Sequence, residues 1–150
     1  KAMAVISILH LVDIYKIKGP ALMSLMAELQ TRKLHKPDAL LVSPYIRAQQ
    51  TAADATQHIS LKFNETCSDI TPDGVPQIAA DYLETLIAMH PQCNTWLIVA
   101  HMPIVSYLVD QLSPGHMPIF NTGAVAVIEY DEHKQRSQYL SIHSPNNVEI

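Results

Sequence analysis

Two histidines and one arginine stand where short apolar runs stop. Val5-Ile6-Ser7-Ile8-Leu9 runs into His10, and Trp96-Leu97-Ile98-Val99-Ala100 runs into His101. Between them, Leu40-Leu41-Val42 leads into Ser43-Pro44-Tyr45-Ile46-Arg47. An imidazole can act as nucleophile or proton carrier near neutral pH, and a guanidinium holds two oxyanion oxygens in a planar fork. Short apolar runs ended by a break read as buried strands, and open α/β sheets bind ligands beyond the carboxyl ends of their strands. These residues therefore describe a pocket for an anion, most simply a phosphate.

The elements that must position them alternate along the chain. Strands are expected at Val5–Leu9, Ala39–Ser43, Thr95–Ala100 and Ala124–Tyr130, with Gln138–Ile142 pairing with the last as an edge hairpin across Asp131 to Ser137. Helices are expected at Pro20–Arg32, Tyr45–Ile59, Pro76–His90 and Met102–Leu112. Leu22, Leu25, Met26 and Leu29 recur at helical spacing in the first, and Ala48, Ala52, Ala55 and Ile59 line one side of the second. In the third, Ile78, Tyr82, Leu86 and Met89 form the apolar stripe. Leu61 to Gly74 reads as irregular, ending in the turn Thr71-Pro72-Asp73-Gly74. The order predicts a layered α/β fold around a mostly parallel sheet.

Composition bounds the function. The chain has 150 residues, 48% apolar and 16% charged, which suits a globular domain rather than a disordered segment. A net charge of −4 argues against a broad nucleic-acid surface. No apolar run has the length of a membrane span, and the first residues lack the order of a signal peptide. The expected setting is cytoplasmic, and Cys67 and Cys93, which form no CxxC, read there as free thiols. No zinc-type histidine and cysteine spacing, phosphate-binding glycine loop or GxSxG elbow is present, so neither metal, nucleotide nor serine-nucleophile chemistry is supported.

Leu41 to Thr51 resembles the SPxxRAxQT motif of the histidine phosphatase superfamily. Val99-Ala100-His101-Met102-Pro103-Ile104-Val105 resembles its second histidine motif. Tyr107 to Gly115, Asp69 to Gly74 and Phe120 to Ala124 look like the SixA-type phosphohistidine phosphatases. The resemblance runs from about Gly19 to Pro145. It implies a single histidine-phosphatase-like domain over residues 1–150. The fold it implies is three-layered and phosphoglycerate-mutase-like, with a mostly parallel central sheet and no inserted helical subdomain. It further implies phosphatase activity without a metal or other cofactor. The partner it implies is a phosphohistidine-containing protein, such as a phosphotransfer domain or phosphotransferase-system component.

By the same resemblance, Arg47 binds the phosphate, His101 stabilises or protonates the phosphoryl group, and His10 is the nucleophile that is transiently phosphorylated. A positive Arg47 nearby would depress the pKa of both histidines. Asp69 is placed as general acid or as a turn residue. Ser43 is placed at the substrate or as the strand-to-helix turn that aims Arg47. Asn121 and Thr122 supply donors to the substrate or cap their loop.

The first motif departs from the family. Where the family has Arg-His-Gly, this chain has Leu9-His10-Leu11. Leucine cannot donate to an oxyanion, and a lost charged hydrogen bond is worth roughly 1.5–3 kcal/mol, or at least tenfold in rate. His10 is then either the nucleophile or an ordinary strand-end histidine. Besides a phosphohistidine phosphatase, two functions stay open: a phosphoprotein-binding module without turnover, and a small-molecule phosphomonoesterase.

Overall fold

The computed structural model describes residues 3–11, 36–57, 59–134 and 136–144. The helix expected at Pro20–Arg32 lies outside them. The described elements are β1 (Met3–His10), β2 (Ala39–Val42), α1 (Ile46–Ala55), β3 (Phe63–Thr66), α2 (Pro76–Met89), β4 (Thr95–Ala100), α3 (Ile104–Leu112), β5 (Val125–Asp131) and β6 (Arg136–His143). A 3-10 turn over Ser68–Ile70 follows β3.

Six strands form one sheet in the order β3-β2-β4-β1-β5-β6. The pairs β3-β2, β2-β4 and β4-β1 are parallel, while β5 runs antiparallel to both β1 and β6. The central strands are apolar on both faces because both faces are covered. Alternate residues feed two cores. Leu9, Leu40, Val42, Leu97 and Val99 pack with Ala48, Ala52 and Ala55 of α1. Ile6, Ile8, Leu41, Trp96 and Ile98 pack with Leu83 and Ile87 of α2 and Val105, Leu108 and Val109 of α3. The architecture is thus the expected three-layered α/β fold with a mixed, mostly parallel sheet.

Three details depart from the sequence reading. The segment expected to be irregular holds β3, a short edge strand whose residues alternate between half-buried and exposed. Helix α1 stops at Ala55, where the Thr56 hydroxyl turns back to donate to the Ala52 carbonyl. The buried stripe of α2 is Ala79, Ala80, Leu83, Leu86 and Ile87, while Ile78 and Met89 face outward. The two small alanines let α2 sit close to its neighbours, which a longer side chain would prevent.

Candidate active site

Sheet order decides which chain segments meet. The neighbours β2, β4 and β1 all run the same way, so the residues leaving their carboxyl ends lie side by side. His10 is in register with Ala100, one residue before His101. Val42 is in register with Val99, and the Ser43 amide donates to the Val99 carbonyl at 3.0 Å. These pairings gather Ser43, His101 and His10 at one end of the sheet.

His10, Leu11, Tyr45, Ile46, Arg47, Pro72, His101 and Met102 line a cavity there of about 540 Å³. Arg47 is exposed on the first turn of α1, whose unpaired amides add to the positive field. Among the described residues it makes no ion pair, and it is the one lining side chain with a fixed positive charge. Such a group is available to an incoming anion.

Both histidines are held by the protein. His10 Nδ1 lies 3.0 Å from the Asn121 carbonyl oxygen. The His10 main chain is fixed on the same side, its amide donating to the Ala124 carbonyl and its carbonyl accepting from Gly123. His101 is 6% exposed, and its Nε2 lies 2.6 Å from Ser43 Oγ. Tyr45 meets the His101 ring edge-on, with centroids 4.7 Å apart. Burial pushes the His10 pKa below the ordinary imidazole value, partly offset by the Asn121 contact. Burial also lowers that of His101, and the neighbouring His10 lowers it further. Both histidines are lowered as expected, but the cause is burial, with His10 adding to it for His101, and not the charge of Arg47.

The other candidates stand as follows. Ser43 is fully buried and outside the cavity lining, so its hydroxyl faces His101 and the Tyr45 amide rather than a ligand. Asp69 also lies outside the lining, its carboxylate accepting from the Cys67 thiol at 4.0 Å, although Pro72 of the same segment forms a wall. Asn121 contributes its main-chain carbonyl to His10. Thr122 Oγ1 donates to the Leu11 carbonyl at 3.2 Å, tying the chain after β1 to the loop before β5. Sequence reasoning missed Tyr45, Ile46, Pro72 and Met102 as walls, since none carries a charge at neutral pH. Leu9, where the family's first arginine would stand, is fully buried in the α1-facing core. Among the described residues no cluster of three or more histidine, cysteine or acidic side chains could hold a metal, and no helix is long and apolar enough to cross a membrane.

No family model matches the chain. It is 34% identical over 97 residues to "Phosphohistidine phosphatase SixA" of Escherichia coli, a match covering 63% of this chain and 59% of that protein. The chain thus spans less than two thirds of that relative. It is also 34% identical over 114 residues to the SixA homolog of Haemophilus influenzae, covering 73% of this chain and 68% of the other. Among solved structures, the protein histidine phosphatase SixA complexed with tungstate superposes with a TM-score of 0.81 at 25% identity, over 97% of this chain and 99% of the other. A phosphoglycerate mutase from Plasmodium falciparum shares the fold, with a TM-score of 0.62 at 12% identity over 100% of this chain and 94% of the other. With paired strand-end histidines, an arginine on a helix start and these relatives, the chain belongs to the SixA phosphohistidine phosphatase family.

Proposed function

We propose that this chain removes phosphate from a phosphorylated histidine of a protein, through a phosphohistidine formed on His10. The observation that carries the reading is the contact between His10 Nδ1 and the Asn121 carbonyl. A carbonyl oxygen only accepts, so Nδ1 holds the ring proton and Nε2 keeps the lone pair. Burial keeps the ring neutral at pH 7.

In the first step Nε2 attacks phosphorus, and the bond from phosphorus to the substrate imidazole breaks. The leaving imidazole takes its proton from water, because Asp69 lies outside the cavity and the labile P–N bond makes little demand on an acid. Keeping Nδ1–H makes the phosphorylated His10 ring cationic, hence a good leaving group. In the second step water adds to phosphorus, the bond to Nε2 breaks, and inorganic phosphate leaves. One water proton returns to solvent, replacing the proton taken by the substrate. Arg47 pairs with two phosphoryl oxygens, and His101, held by Ser43 and Tyr45, faces the phosphoryl group as stabiliser. Asn121 and Thr122 act by fixing the His10 segment. The tungstate of the similar SixA structure is a tetrahedral oxyanion of phosphate's shape, which supports this use of the cavity.

The test is to incubate the chain and its His10→Ala variant with a phosphorylated phosphotransfer domain and follow phosphate release. Release by the wild type and none by the variant is expected. One observation favours a second reading, a phosphoprotein-binding module: Leu9 leaves the cavity one guanidinium short of the family's pair. Binding of the phosphorylated domain without release by either protein would select it.

A further inference from the structure

The cavity that holds His10 and His101 has a volume of about 540 Å³, the size of a site for a whole small ligand and more than a phosphoryl group fills. His10, Arg47 and His101 suit the phosphoryl oxygens. Whatever carries that group must lie against the other walls. Leu11, Ile46, Pro72 and Met102 form most of them, and none of these side chains carries a hydrogen-bond donor.

Two of these walls are held in different ways. Leu11 follows His10 directly. Its amide donates to the Ala100 carbonyl at 2.8 Å, and its carbonyl accepts from Thr122 Oγ1 at 3.2 Å, so both main-chain groups are engaged within the protein. Its side chain is half-buried, packed against the α1-facing core while it lines the cavity. An apolar group is thereby pinned beside His10. Ile46 opens α1, in which Ala48, Thr51, Ala52 and Ala55 turn inward, and it is itself 74% exposed. The core makes little use of that side chain. In the sheet β4 lies between β2 and β1, so the segments carrying Ile46 and Leu11 reach the cavity from either side of the one carrying His101.

We propose that Leu11 and Ile46 determine specificity, admitting a phosphoryl group carried on a flat ring and rejecting phosphate compounds rich in hydroxyls. The inference rests on the proposed use of this cavity as a phosphoryl site. A ring such as imidazole can lay its face on these two side chains. A hydroxylated group pressed against them gives up its water and receives no partner in exchange, which is the term that makes a site reject a ligand strongly.

The experiment is calorimetric titration with phenylphosphonate and dihydroxypropylphosphonate, whose P–C bonds resist hydrolysis, and with inorganic phosphate. It compares the wild type with Leu11→Ala, Leu11→Met and Ile46→Ala. Melting of each protein without ligand confirms that it is folded, and Ile46→Ala, at an exposed position, keeps the test open should Leu11→Ala unfold. The wild type is expected to bind phenylphosphonate at least about tenfold more tightly than dihydroxypropylphosphonate. Each alanine variant should cut that ratio about threefold to tenfold, the effect of one or two methylene groups lost from contact, while Leu11→Met keeps it. Equal affinity of the wild type for both phosphonates overturns the proposal. So does a ratio unchanged in the alanine variants, including the case where both phosphonates and phosphate weaken together, which marks a disturbed anion site. Phosphate release from the phosphorylated photransfer domain, followed on the same proteins, separates the two readings: release with an unchanged ratio overturns this inference alone, and the expected ratios without release support it while overturning the phosphatase reading.

Discussion

Ser43 Oγ and His101 Nε2 lie 2.6 Å apart, in a place from which solvent is nearly excluded. The hydroxyl holds the imidazole at Nε2, while Tyr45 meets the ring in an edge contact. Ser43→Ala removes the fixing bond and leaves the ring free to turn. A buried hydrogen bond left unmade costs about 1–3 kcal/mol, so we expect kcat to fall roughly tenfold or more, with KM little changed. Steady-state kinetics on a phosphohistidine substrate reads the split. A change confined to KM would mean that Ser43 acts in binding rather than in positioning.

Arg47 is the converse case, exposed and free of ion pairs among the described residues. Its removal uncovers no core and breaks no salt bridge. Arg47→Ala is therefore expected to abolish measurable phosphate or vanadate affinity while leaving the urea midpoint within about 0.5 kcal/mol of wild type. Ligand titration by calorimetry, with a denaturation curve alongside, checks both parts. Unchanged oxyanion affinity would place the anion site elsewhere.

Half-buried His10 and buried His101 make stability depend on pH in one direction. Both are held below the ordinary value of 6.5. In the window between their folded values and 6.5, the unfolded chain binds more protons than the folded one. Stability from these groups is thus fully present above 6.5, falls as pH drops through the window, and levels off below the folded values. Urea midpoints at about pH 7.5 and about pH 5.5 read this slope. Replacing His101 by Gln should reduce it, because one of the two groups no longer titrates.

How much of this was legible depended on where the signal sat. Thr95–Ala100 is buried throughout and apolar from Trp96 onward, so β4 and the place of His101 could be read directly. β3 could not, because Phe63–Thr66 is a four-residue edge strand in which only alternate side chains turn inward. In α2, two overlapping stripes fit helical spacing, and small Ala79 and Ala80 carry the buried one against the larger Ile78 and Met89. Asn121 acts through a main-chain carbonyl, which no side-chain pattern records. The Ser43–His101 contact depends on the pairing of β2 with β4, and it joins residues 58 apart in the chain.

Gly74 links the fold to the wall of the active-site cavity. It closes the turn that begins at Thr71, its amide donating to the Thr71 carbonyl at 2.9 Å. A Cβ at this position would collide with the Asp69 carbonyl oxygen and press on that of Thr71. Backbone cannot step aside as a side chain can, so the segment from Asp69 to Gly74 must shift, and Pro72 moves with it. Gly74→Ala is expected to cost about 1–3 kcal/mol of stability and to weaken turnover by displacing that wall. Gly74→Ala with a wild-type urea midpoint and wild-type kcat/KM would show that the turn tolerates the methyl, and that Pro72 does not shape the site.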